Sequence, residues 1–442
     1  MRFRLLAILM LVLITGCSVQ IYDLQPIIIG TDTPVPTATG IMAFVRSTAT
    51  PDQVLPSSTP PVHIAPTPIN STVSVNILEI TMIDGGVGWG IGRIPGSKDK
   101  LVLRTVDGAK NWRNVTPSQV IYDNAGMVSD ITACFRDADH AWLIFIDENG
   151  FDAKKGLSVW RTSDGGRTWE SVPLPVTPAS FQYFKDAKID FLDIQTGWIF
   201  ADVARIEGRE YVGLFTTYDG GQSWTTMVAS NTGNMPSATR KNGAVFRDNL
   251  EGWITGENSV SDPSAVLWHT FDGGNSWYQQ LFPEPWGYNI PVGLLNEPSI
   301  SCSLSVPKFV DFQHQYAWSV LKCSGGSLKE PVSILYWTYD RLSTWKTLRL
   351  PAADGDLSFY GIEYGWYAIK NEPGADFPYQ ILFTEDGGEN WRTASQLAWD
   401  SRLQFITPAI GYAIAIFNGM PALVKTSNSG FAWEQIFAFV NP

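Results

Sequence analysis

Apolar and polar residues alternate along this chain in short stretches, and the stretches come in sets of four. The first of a set is an alternating segment such as Ile77–Ile83 or Ile189–Leu192. A small residue followed by an aromatic opens the second: Gly88-Trp89, Ala141-Trp142, Gly197-Trp198, Gly252-Trp253, Ala317-Trp318, Gly365-Trp366 and Gly411-Tyr412. The third, as in Leu101–Thr105, Ser158–Thr162 and Ile381–Thr384, runs into a polar turn motif, and a short fourth such as Arg113–Val115 or Glu434–Phe437 follows it. Alternation over so few residues, bounded by turn formers, predicts strands. No segment keeps a helical apolar period.

The turn motif sets the architecture. It reads T-V-D-G-A-K-N-W at Thr105–Trp112, T-S-D-G-G-R-T-W at Thr162–Trp169, T-Y-D-G-G-Q-S-W at Thr217–Trp224 and T-F-D-G-G-N-S-W at Thr270–Trp277. Three further copies are T-Y-D-R-L-S-T-W at Thr338–Trp345, T-E-D-G-G-E-N-W at Thr384–Trp391 and T-S-N-S-G-F-A-W at Thr426–Trp433. From the aromatic of the second stretch to the motif Asp or Asn is always between 16 and 22 residues. Four short strands per unit, seven times over, predict an all-β fold: a seven-bladed β-propeller of four-stranded antiparallel blades over residues 73–442. In each turn Asp107, Asp164, Asp219, Asp272, Asp340, Asp386 or Asn428 is placed to accept backbone N–H groups. The motif Trp buries roughly 150–250 Å² between sheets. Two copies are degenerate, with Leu342 in place of Gly in the fifth and Asn428 in place of Asp in the seventh.

This motif resembles the Asp-box, or BNR repeat, of sialidases, sortilin-type receptors and seven-bladed photosystem II assembly factors. The resemblance implies the propeller and a structural role for the box residues. The assembly-factor group implies protein binding through an arginine-rich patch, whereas here the arginines are dispersed. Arg93-Ile94-Pro95 resembles the sialidase element whose Arg grips a substrate carboxylate. A sialidase site implies two more arginines, for which Arg136, Arg205, Arg240 and Arg247 are available, and a Tyr paired with Glu.

The first residues lie outside that pattern. Arg2 and Arg4 precede the apolar run Leu5–Ile14, too short to span a membrane, and Thr15-Gly16-Cys17 follows. Residues 1–16 therefore read as a leader, and Ile14–Cys17 resembles a bacterial lipobox, which implies a mature chain anchored through lipidated Cys17. An ordinary secretory leader ending in Cys is the alternative. Residues 17–72, rich in Pro and Thr, read as an extended tether, with Ile27–Ile29 and Ile41–Val45 as candidates for an extra strand. Cys302 and Cys323 flank a predicted hairpin, strands Val306–Phe312 and Ala317–Cys323, and form either a disulfide or two reduced thiols. Cys134 reads as a buried free thiol.

The formal charge is −12, which excludes a nucleic-acid footprint. The four His are scattered, so neither metal nor cofactor is expected. Motif, second-strand and third-strand positions, the last holding Trp160, Trp268 and Trp337, absorb 16 of the 18 tryptophans and leave Trp286 and Trp399 in connections between units. Trp286 and Tyr288, in the long connection Phe282–Ser305, and Trp399 are candidates for contact with a partner. The sequence thus predicts an envelope lipoprotein that binds a protein or glycan partner and catalyses nothing. A sialidase-like glycoside hydrolase is the alternative.

Overall fold

The computed structural model describes residues 73–123, 128–147, 157–176, 185–206, 209–228, 240–257, 265–311 and 313–441. The leader, Cys17 and the tether of residues 17–72 lie outside them. Seven antiparallel sheets form a ring, each meandering from an innermost to an outermost strand, with one short helix, Ser118–Asp123, among the described residues. The fold is the seven-bladed β-propeller that the fourfold strand pattern dictates.

Each box turn is built the same way. In the second blade Thr162 Oγ1 donates to Asp164 Oδ1 (2.8 Å) and accepts from the Gly166 N–H (3.1 Å). Asp164 Oδ1 also accepts from Arg167 N and Thr168 N, and Oδ2 accepts from the Thr168 hydroxyl at 2.6 Å. The residue after the Asp sends its N–H to the turn between the first two strands of the same blade, as Gly165 does to Asp139 O at 3.0 Å. The carboxylate therefore saturates a tight turn, and the turn is bolted to its own blade.

The seventh box follows the same chemistry. Asn428 Oδ1 accepts from Thr426 Oγ1 and Ala432 N, both at 2.9 Å. In the Asp-bearing boxes the residue four positions on carries a side-chain donor for Oδ2, as Asn111, Thr168, Ser223, Ser276, Thr344 and Asn390 do. Asn428 has an amide NH₂ there, and the corresponding residue is Ala432, which offers no donor to oppose it.

The fifth box is different. Arg341 and Leu342 both take left-handed backbone (φ 61° and 62°) where five other boxes place Gly. Leu342 is buried at 1% exposure against the core between blades four and five, whereas the exposed Arg341 gains no such compensation. Left-handed φ costs a β-carbon-bearing residue about 1–2 kcal/mol, part of which glycine's unfolded-state entropy takes back. Arg341→Gly is therefore expected to raise stability by about 0.5–1 kcal/mol, and Leu342→Gly to lower it by about 2 kcal/mol through lost burial. Denaturant midpoints of the two variants check this, and a stabilising Leu342→Gly would contradict it.

Blades are stitched by indoles. Trp142 Nε1 donates to Gly220 O of the third blade's box (2.8 Å), Trp337 Nε1 to Gly387 O of the sixth (2.8 Å), and Trp366 Nε1 to Ser429 O of the seventh (2.9 Å). The ring is closed by both chain ends of the described region. The strand Phe439–Asn441 leaves the seventh blade and pairs parallel with the outermost strand of the first, Asn111–Asn114. Val73–Ser74 then pairs antiparallel with it.

Cys302 and Cys323 are joined in a disulfide, directly opposite one another with Cα atoms 4.1 Å apart. The predicted strand Val306–Phe312 is replaced by two pieces, Ile300–Leu304 and Lys308–Phe309. Pro307, which lacks an N–H, sits in the break between them and cannot continue the ladder.

Candidate active site in the axial cavity

The repeat fixes which side chains look along the axis. Counting back from the aromatic or Met that ends each innermost strand, the residue one place earlier pairs with the aromatic of the second strand. Cys134 opposes Trp142, Asp190 opposes Trp198, Lys308 opposes Trp318 and Gln404 opposes Tyr412. Because strand side chains alternate, the residue three places back shares that face. That second level holds Glu79, Lys188, Asp356 and Arg402. Two stacked levels rich in polar and charged side chains result, with Val245 and Gly243 of blade four as apolar exceptions.

Of these ring residues Glu79, Lys188, Asp190, Lys308 and Arg402 line an axial cavity of about 1120 Å³, together with Asp130, Arg136 and His314. Although the chain carries a formal charge of −12, the cavity wall gathers the cations Arg136, Lys188, Lys308 and Arg402 beside the carboxyls Glu79, Asp130 and Asp190. Several are held in place. Arg136 Nη2 donates to Leu192 O (2.6 Å), Lys188 Nζ to Asn242 O (2.5 Å), and Lys100 Nζ pairs with Asp130 at 2.6 Å.

Two carboxyls sit in environments that favour the neutral acid. Asp190 is exposed to the cavity, on which its carboxyl opens, and the walls of that cavity surround it. That enclosure raises its pKa, and the Phe191 N–H at 2.8 Å and the charge of Arg136 pull it part of the way back. Solvent reaching the carboxyl through the cavity limits the rise. The Cys134 thiol lies 3.9 Å from Asp190 Oδ1, and burial pushes its own pKa well up, so it stays a neutral thiol. Asp356 is raised by burial, offset by the Leu403 N–H at 2.6 Å and by the charges of Lys308 and Arg402 on the flanking blades. Burial lowers the pKa of His314, which also lines the cavity.

The sequence-predicted residues fall elsewhere. The box carboxylates lie in turns outside the cavity. Trp399 is half-buried, edge-on to Trp433 at 5.8 Å. Trp286 and Tyr288 are 80% and 90% exposed on the connection that precedes blade five. Of the arginines considered for a sialidase triad, Arg136 lines the cavity and Arg93 does not, and no Tyr is among the lining residues. The Arg205 side chain lies outside the described residues. Sequence reasoning passed over Asp190, Lys308 and Arg402. Their signal was positional: each lies one or three places before the Phe that ends an innermost strand.

No family model and no curated protein matches the chain. Solved structures do resemble it. A family 74 glycoside hydrolase, the xyloglucanase of Xanthomonas campestris, superposes with a TM-score of 0.50 at 12% identity over 84% of this chain and 55% of that enzyme. This chain thus spans little more than half the length of the xyloglucanase. A family 25 polysaccharide lyase, an ulvan lyase, gives a TM-score of 0.45 at 12% identity over 69% of this chain and 81% of the other. A Hadza microbial sialidase gives 0.41 at 14% identity over 71% and 63%. The expectation of a binding propeller that catalyses nothing is corrected: the xyloglucanase whose fold it resembles is a glycoside hydrolase. That expectation followed from assigning the motif residues to the scaffold, an assignment that leaves the axial carboxyls unexamined. This chain is a seven-bladed β-propeller, and its fold resembles that of the xyloglucanase.

Proposed function

We propose that the chain cleaves glycosidic bonds of a saccharide held in the axial cavity. The observation that carries this reading is Asp190, a carboxyl whose pKa is raised by enclosure while it opens on a cavity of sugar-binding size. A carboxylic acid that keeps its proton to higher pH than a free Asp can give it to the glycosidic oxygen as the bond breaks. Glu79, in the adjacent ring level, supplies the second carboxyl that such chemistry uses. It takes the proton of the water whose oxygen bonds to the anomeric carbon. The xyloglucanase likeness supports the architecture, and the seven Thr-x-Asp/Asn turns support kinship with the Asp-box propellers.

Release of reducing ends from a panel of soluble polysaccharides tests this reading. Asp190→Asn is expected to lower the rate at least ~100-fold, the usual contribution of a positioned proton donor, with little change in thermal midpoint. Because the acid form is the active one, the wild-type rate falls as pH rises through the elevated Asp190 pKa. No reducing ends from any substrate, or a wild-type rate in Asp190→Asn, would overturn the proposal.

A further inference from the structure

The connection between blades four and five breaks the repeat and is built to hold aromatic faces in water. Ile290 and Leu294 anchor it in the core at 9% and 1% exposure, while Trp286 and Tyr288 beside them stand 80% and 90% exposed. The exposure is imposed by the backbone, which is fixed on both sides of the rings. Trp286 N–H donates to Thr347 Oγ1 (3.2 Å), and the Thr347 hydroxyl donates to Trp286 O (2.7 Å). Arg349 Nη1 holds Asn289 O at 2.7 Å, Tyr336 OH holds Pro283 O at 3.0 Å, and Glu284 accepts from Leu295 N at 3.0 Å. Two large rings held in solvent by this many hydrogen bonds are a contact surface rather than a frayed loop.

Tyr288 forms one wall of a groove of about 490 Å³, whose other lining includes Arg349, Glu389, Asn390 and Trp391. Aromatic faces beside an amide, a carboxylate and a guanidinium match the two faces of a pyranose. Its C–H face packs on a ring, and its hydroxyls bond planar polar groups. Charge there is internally matched, since Lys346 pairs with Glu389 and Arg349 faces Glu330 at 3.5 Å. A neutral occupant rich in hydroxyls therefore fits better than a charged one.

We infer that Trp286, Tyr288 and the Arg349–Asn390 groove form a saccharide subsite that holds a neutral polysaccharide chain on the rim of blades five and six, separate from the axial cavity. This site goes beyond the proposed cleavage and does not depend on it.

Affinity electrophoresis of the full chain in native gels containing xyloglucan, hydroxyethyl cellulose or laminarin tests the inference. At least one polymer is expected to retard the wild type. The Trp286→Ala/Tyr288→Ala double variant is expected to bind that polymer at least tenfold more weakly, with an unchanged thermal midpoint. Asp190→Asn should be retarded like the wild type, so loss of cleavage and loss of rim binding are read separately. A wild type that migrates freely in every gel, or a double variant retarded as strongly as the wild type, would sink the inference. The same holds if the exposed rings prove to bind a protein and no polysaccharide.

Discussion

Trp142→Ala is expected to destabilise the propeller by about 4–5 kcal/mol, among the largest effects of any single truncation. The side chain is 2% exposed and lies flat on Phe191 of the next blade, with ring centroids 3.5 Å apart. Removing a buried indole leaves a cavity that rigid sheets fill poorly, which costs about 3–5 kcal/mol. It also strands Gly220 O, the acceptor of the indole N–H at 2.8 Å, for about 1 kcal/mol more. The loss falls on the junction of blades two and three, because Trp142 belongs to one and its acceptor to the other. Trp142→Phe should recover most of the packing and none of the hydrogen bond. Denaturant titration of the variants checks this, with Trp286→Ala as the reference, since a solvent-exposed Trp should cost less than about 0.5 kcal/mol. Equal midpoints for Trp142→Ala and Trp286→Ala would refute the stitching role.

The second large effect is loss of stability in acid. Burial works against ionisation of Asp164, but the Thr168 hydroxyl and N–H, the Thr162 hydroxyl and the Arg167 N–H outweigh it and bring its pKa down to about 2. Asp107, Asp219, Asp272, Asp340 and Asp386 are lowered in the same way, burial opposing and turn hydrogen bonds prevailing. An unfolded Asp titrates near ~3.9, so each box carboxylate stabilises the fold above that pH. That contribution is lost as pH falls below about 4, and for Asp164 as it falls towards about 2. Asp190 and Asp356 act with the opposite sign. Their pKa values are raised, so their contribution is present at low pH and fades as pH rises above about 4. The six box carboxylates, joined by Asp84, Asp137, Asp248 and Glu297, which are also lowered, outnumber the two raised ones and give a net loss of stability in acid. Denaturant midpoints measured between pH 2 and 6 should fall steeply below pH 4, and Asp164→Asn should flatten the slope. A midpoint independent of pH across that range would contradict the account.

The two predictions differ in how much of them the sequence exposes. Asp164 and its partners are local: donor and acceptor lie within four residues, so the Thr-x-Asp spacing shows the turn before any coordinates exist. The pairing of Ala432 with Asn428 is legible in the same way, once the Oδ2 partner of the other boxes is known. Trp142 is half-legible. Its place after Ala141 marks it as a second-strand residue, while the partners Phe191 and Gly220 come from another blade. The hairpin around Cys302 was misread in its first strand because Pro307 breaks a run that otherwise alternates well.

Strand count, blade count and turn chemistry follow from the sequence because period-2 alternation and box spacing are short-range patterns, repeated often enough to leave one architecture. The axial site does not follow in that way. Asp190, Asp356, Lys308 and Arg402 come from four blades, and their places before a Phe mark a face of each sheet without showing that the four faces meet. Only ring closure makes those positions converge, and only the resulting enclosure raises the pKa of Asp190 and Asp356. The closing strand itself, Phe439–Asn441 paired parallel to blade one, joins residues more than 300 positions apart. Contact across that separation is a property of the folded ring alone.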